Sequence, residues 1–133
     1  MPRHVRFVFT PYSHVENLPR GCCVLDVSSY ADWPYCTLSP MWQHGGIPVP
    51  GMPGTVSDSV EGIWQGLKVI RGQTAPRYFR GRGRKRGGKP AGHQFQGRLL
   101  KIVEARNRIY RPAYEWVLAN RVDPALIEQF ITR

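Results

Sequence analysis

A carboxylate, a carboxamide and an amine stand at helical spacing in Ser57-Asp58-Ser59-Val60-Glu61-Gly62-Ile63-Trp64-Gln65-Gly66-Leu67-Lys68. At about 100° per residue, Glu61, Gln65 and Lys68 share one stripe of a helix, with Trp64 on its border. Glu61 and Lys68 then lie on one side, roughly 10 Å apart along the axis. Such a row has the parts for acid–base or nucleophilic chemistry. A carboxylate can activate water or stabilise a developing positive charge, a desolvated amine can attack an electrophilic carbon, and an indole can stack a base. The competing interpretation is an ordinary solvated face. In it, Asp58 caps the helix and Glu61, three residues on, is a capping-box carboxylate. Spacing alone leaves both open.

A second cluster is basic. Arg77, Arg80, Arg82, Arg84, Lys85, Arg86 and Lys89 fall within thirteen residues, interleaved with glycine. Residues 80–90 read as a Gly/Arg loop. It is either a solvated mobile segment or a phosphate-binding one, in which backbone N–H groups approach an anion and Arg82, Arg84, Lys85 and Arg86 neutralise it. The net charge of +10 on 133 residues favours phosphate-bearing partners, a small molecule or nucleic acid.

Other chemistries find little footing. Cys22 and Cys23 are adjacent and, with Cys36 and His44, lack the paired spacing of a zinc site, so no metal is expected. His4, His14, His44 and His93 are scattered. No P-loop or dinucleotide fingerprint occurs, and no cofactor is expected. Three cysteines build no disulfide framework, which points to a reducing, cytoplasmic compartment. No apolar run reaches the roughly 18 residues a membrane helix needs.

The elements that must position the Glu61 row are short. Residues 3–10 and 22–27 read as strands, and Pro11 to Gly21 as a loop between them. His44 to Gly54 holds three prolines and four glycines, too many for a helix or central strand. Ile47, Val49 and Met52 within it suggest an ordered loop packed beside the opening helix. That helix puts Val60, Ile63, Leu67 and Ile70 on its apolar stripe and is expected to end at Arg71-Gly72. Gly62 and Gly66 each weaken it by roughly 1 kcal/mol relative to Ala, which implies close approach of another element or a ligand. Residues 96–110 read as a second helix with Leu99, Ile102, Val103 and Ile109 as its core side, interrupted at Pro112. Tyr114, Val117 and Leu118 follow as core, and Tyr110, Tyr114 and Trp116 read as packing rather than a base-stacking platform. Asp123-Pro124 opens a last helix with Leu126, Ile127 and Phe130. The expected architecture is one α+β domain over 1–133, a small sheet of short strands packed by three to four helices.

Ser59-Val60-Glu61 through Gln65 to Lys68 resembles the T-V-E-H-x-x-Q-A-x-K signature of the NADAR superfamily, which includes the YbiA-like N-glycosidases. Leu38-Ser39-Pro40-Met41 is similar to that family's L-S-N-F, and Val5-Arg6-Phe7-Val8-Phe9 to its first strand. The resemblance spans residues 5–70 loosely and 59–68 more closely. It departs at Gly62, where the family has His, and at Pro40, where it has Asn. The family's later Asp-Trp pair has no clear counterpart, Glu115-Trp116 having the right types in a different place.

This resemblance implies a NADAR-like fold and cleavage of a base–ribose N-glycosidic bond. The implied substrates are phosphoribosyl intermediates of riboflavin synthesis or ADP-ribose attached to guanine in nucleic acid. It makes Glu61 the catalytic carboxylate and Lys68 an amine nucleophile or phosphate ligand. Ser39, Trp42, Trp64 and Gln65 become substrate contacts, and Arg82, Arg84, Lys85 and Arg86 hold phosphate. The alternatives are a non-enzymatic RNA- or DNA-binding protein that uses the Arg/Gly loop, and a binder of ADP-ribose or a related nucleotide without cleavage.

Overall fold

A computed structural model describes residues 25–132, and the fold is α+β. The expected strand at 3–10, the loop after it and the start of the one at 22–27 lie outside the described residues. Leu25 to Val27 are not a strand; Asp26 and Val27 are exposed.

Two antiparallel sheets and four helices make up the remainder. Strands β1 (Ile47–Pro48) and β2 (Val56–Ser57) pair across the Pro/Gly segment. That segment is ordered as expected: Val49, Met52 and Thr55 hydrogen-bond one another's backbones, and Ile47 and Val49 are buried while Met52 is exposed. Gly51, at φ 79°, lets it approach Phe95 so closely that a Cβ would lie 2.8 Å from the ring.

Helix α1 (Val60–Leu67) follows directly. Val60, Ile63 and Leu67 enter the core with Leu38, Leu100 and Ile109. The cap is Ser59 rather than Asp58: its Oγ accepts the Gly62 N–H at 3.0 Å. Asp58 instead accepts the Gly81 N–H at 2.8 Å and ties down the start of the basic loop. The helix also stops a turn earlier than its apolar stripe suggested. Lys68 is extended, at φ −60° and ψ 129°, and opens β3 (Lys68–Ile70). Leu67 and Ile70, three apart, satisfy a helical stripe, but strand pairing claims Ile70.

The glycines of α1 have a packing reason. A Cβ on Gly62 would lie 2.7 Å from the Tyr78 carbonyl oxygen, and one on Gly66 2.6 Å from Phe79 Cδ1. The close neighbour is the 3-10 turn Pro76–Phe79.

β3 pairs antiparallel with β4 (Pro90–Phe95), which pairs antiparallel with β5 (Arg98–Leu100). Lys68 stands opposite His93, and His93 opposite Leu100. The helix expected over 96–110 is therefore half hairpin. Gln96 and Gly97, at φ 47° and 77°, form its two-residue turn. Leu99, Ile102 and Val103 are 50%, 50% and 65% exposed and are not core. Helix α2 (Ile102–Ala105) runs through a π-helical turn (Arg106–Tyr110) into α3 (Arg111–Asn120). In that turn the Arg111 N–H reaches back to the Arg106 carbonyl. Pro112 lacks an N–H, and the wider turn is where the helix absorbs it. Helix α4 (Pro124–Thr132) closes the fold, with Leu126 buried. Among the described residues no helix is long and apolar enough to cross a membrane.

Candidate functional site

Glu61, Gln65 and Lys68 form one hydrogen-bonded row. Gln65 is buried, and its amide sits between the two charged groups. Its Nε2 donates to Glu61 Oε1 at 2.9 Å, and its Oε1 accepts from Lys68 Nζ at 3.0 Å. A carboxylate can only accept and an ammonium only donate, so this chain fixes the amide's orientation. The second stripe of α1 is half-buried rather than solvated.

The capping-box role for Glu61 does not hold. With Ser59 as the cap, Glu61 is one position too early for the reciprocal bond, and its oxygens go elsewhere. Tyr110, in the π-helical turn, donates its hydroxyl to Glu61 Oε2 at 3.2 Å. The Glu61 N–H donates to the Pro40 carbonyl at 2.9 Å, seating Leu38-Ser39-Pro40-Met41 against the first turn of α1. Tyr114 holds the same segment from α3, its hydroxyl donating to the Leu38 carbonyl at 2.5 Å. Tyr110 and Tyr114 are thus packing groups whose hydroxyls also organise the site.

Electrostatics follow from this burial. Desolvation lowers the Lys68 amine from its ordinary value; the Glu61 charge opposes this, and Lys85 and Arg86 add to the lowering. The Tyr110 phenol is pushed up, first by burial and then by the Glu61 charge, so it remains a donor.

His93 was not foreseen. It stands on the central strand opposite Lys68, 3% exposed, with its ring 3.7 Å from that of Trp64. Tyr110 meets the indole edge-on at 5.3 Å. Among the described residues neither His93 nitrogen has a hydrogen-bond partner. Burial, and secondarily the Lys68 charge, hold its pKa down to about 4. The Trp64 backbone lies close enough to oppose this but makes no well-formed bond. Nothing in the sequence marked His93 beyond its being a histidine in a short polar stretch.

The remaining expected residues divide. Trp64 joins the row through its His93 and Tyr110 contacts. Ser39 is buried and its Oγ accepts the Met41 N–H at 3.1 Å, a turn-forming role. Trp42 packs on Trp33, ring centroids 6.2 Å apart. Arg86 lies against the row, its backbone N–H donating to Gln65 Oε1 at 3.2 Å. Its guanidinium, however, is occupied: it donates to the carbonyls of Gln65 and Gln73, each at 3.1 Å, and to that of Lys68. The Gln65 and Lys68 carbonyls lie where α1 turns into β3, and that of Gln73, beyond the strand, also accepts the Ile70 N–H. Arg82 donates to Ser29 Oγ at 3.3 Å and lies over Tyr30. Arg84 and Lys85 are exposed, and among the described residues neither has an ion-pair partner.

The basic loop is also tied to α1. Ser59 Oγ donates to the Gly81 carbonyl at 2.9 Å. Gly83, at φ 74°, sits so near α1 that a Cβ would lie 2.9 Å from Glu61 Cβ.

Cys36 is buried and free, and His44 Nε2 lies 2.9 Å from the Thr37 carbonyl. No metal-ligating cluster occurs among the described residues, with Cys22 and Cys23 outside them. Glu115 pairs with Arg111 at 2.8 Å and Trp116 faces Arg121, contacts separate from Glu61. Two cavities, of about 350 and 270 Å³, open elsewhere, and neither has Glu61 or Lys68 in its wall.

The chain belongs to the DUF6939 family. The model of this family of unknown function matches residues 10–132, and so takes in α1, the basic loop and the π-helical turn. No curated protein and no solved structure matches the chain.

Proposed function

We propose that this DUF6939 member is an N-glycosidase-type hydrolase acting on a base–ribose bond of a nucleotide or ADP-ribosyl substrate. The observation that carries the proposal is the Glu61–Gln65–Lys68 row together with its link to Pro40. The two segments that resemble NADAR proteins meet where the Glu61 N–H donates to the Pro40 carbonyl. Breaking the glycosidic bond develops positive charge on the ribose. The Glu61 carboxylate, oriented by Gln65 and Tyr110, stabilises that charge or takes the proton of the attacking water. Lys68, its amine pushed toward the neutral form, serves as nucleophile or phosphate ligand. The partner is a phosphate-bearing small molecule or modified nucleic acid, and cysteine usage favours a cytoplasmic setting.

The test is incubation with ADP-ribosylated guanine nucleic acid and with phosphoribosylamines of riboflavin synthesis, reading released base. Wild type turns over, and Glu61→Gln falls by about a hundredfold or more. Lys68→Ala falls likewise. A Glu61→Gln variant as active as wild type overturns the assignment.

Arg84 and Lys85, exposed and without an ion-pair partner among the described residues, favour a second interpretation, nucleic-acid binding through the loop without cleavage. Under it, affinity falls steeply with salt and collapses when Arg82, Arg84 and Lys85 are neutralised, while Glu61→Gln binds as wild type does.

A further inference from the structure

The cavity of about 350 Å³ is walled by Arg71, Thr74, Arg77, Tyr78, Arg86 and Gly88 among others. Its size lies within the range of about 300–1,000 Å³ common for small-ligand sites. Three arginines line it and no aspartate or glutamate does. The ion pairs that described residues make with one another lie on other arginines, Arg98, Arg108 and Arg111.

The three arginines are held differently. Arg86 is locked by the carbonyls of Gln65, Lys68 and Gln73, which orient its charge without cancelling it. Arg77 and Arg86 both face the Tyr78 ring, 5.0 and 5.8 Å from its centroid. Arg71 projects from a two-residue turn closed by Ile70 N–H to Gln73 O at 3.0 Å and Gln73 N–H to Ile70 O at 3.1 Å. Its φ is 54° and that of Gly72 is 74°. Asn or Gly suits that first position better than a long side chain does. An arginine kept there, on the wall of an acid-free cavity, is local strain at a point where charge converges.

We propose that this cavity binds a phosphate group, with Arg71 and Arg77 donating to its oxygens and Arg86 supplying fixed positive charge. Among the described residues the Arg71 and Arg77 guanidiniums make no hydrogen bond, so their forks are available for the bidentate geometry phosphate accepts. The proposal does not depend on the glycosidase reading, because neither Glu61 nor Lys68 lines the cavity.

Calorimetric titration of the full chain with inorganic pyrophosphate, ADP and a short single-stranded oligonucleotide tests it at low salt. Pyrophosphate binds saturably, and Arg71→Asn and Arg77→Gln each weaken it about tenfold or more. Arg71→Asn keeps or raises the melting temperature, since asparagine fits the turn, so its lost binding is not lost folding. Lys101→Gln combined with Arg106→Gln changes pyrophosphate affinity less than about threefold, as those exposed residues are outside the cavity. ADP binding tighter than the oligonucleotide identifies a nucleotide phosphate; the reverse order, with both lost in Arg71→Asn, identifies a nucleic-acid backbone. No saturable pyrophosphate binding, or unchanged affinity in the Arg71→Asn, Arg77→Gln double variant, overturns the proposal. A chain that binds pyrophosphate but releases no base keeps this site and loses only the glycosidase.

Discussion

Replacing His93 with phenylalanine is expected to remove much of the protein's loss of stability in mild acid. The ring is buried against Trp64 beside Lys68, and its pKa falls from the ordinary 6.5 to about 4. Above pH 6.5 the histidine is neutral in both folded and unfolded chains and contributes no pH dependence. Between 6.5 and 4 the unfolded chain takes up a proton that the folded chain refuses, so stability falls as pH falls. Below 4 both states are protonated and the contribution is flat. At about 1.36 kcal/mol for each tenfold change in proton affinity, the full loss is roughly 3 kcal/mol, about 2 kcal/mol of it by pH 5. Urea unfolding of wild type and His93→Phe from pH 7.5 to 4 isolates this term. Both share the carboxylate titrations, and any packing offset from the larger ring is independent of pH. With a urea slope of about 1–3 kcal/mol per molar, the gap between the two midpoints shifts by on the order of 1 M between pH 7.5 and 5, in favour of His93→Phe. Parallel midpoint curves over that interval would refute the claim that His93 is buried neutral.

Two further substitutions probe the supports of the row. Gly66→Ala gains about 1 kcal/mol of helix propensity, but its methyl overlaps the buried Phe79 ring, and overpacking of that kind costs about 1–3 kcal/mol. Thermal melts therefore show a destabilised variant, and a raised melting temperature would contradict the close packing. Ser59→Ala removes the cap on the Gly62 N–H and the bond to the Gly81 carbonyl, costing about 1–2 kcal/mol. Amide exchange at Gly62 and through residues 81–83 becomes faster in that variant, whereas exchange in β4 and β5 does not.

Much of the site's skeleton was legible before folding. Val60, Ile63 and Leu67 announced α1, and Gly62 and Gly66 announced a close neighbour. The order of the Pro/Gly segment was readable from Ile47 and Val49, which have to be buried somewhere. The hairpin of β4 and β5 is hidden from a periodic pattern because Leu99, Ile102 and Val103 sit at helical spacing, and period alone does not say whether such residues face a core. The Gln96-Gly97 dipeptide was the contrary signal, a two-residue turn. Asp58 and Ser59 are both good caps by composition. Ser59 takes the role because Asp58 is drawn to the Gly81 N–H, a partner more than twenty residues away.

By itself the sequence determined the α+β class, the basic character of residues 80–90 and the Glu61, Gln65 and Lys68 series. These depend on local periodicity, composition and near neighbours. Tertiary structure alone decided that Lys68 leaves the helix for a strand, that His93 arrives opposite it, and that Tyr110 and Pro40 bond to Glu61. It also turned Arg86 from an expected phosphate ligand into a brace for backbone carbonyls, and set Arg71 and Arg77 around an acid-free cavity. Each of those outcomes is a contact between residues far apart in the chain, and no local pattern encodes which distant group fills a given donor or acceptor.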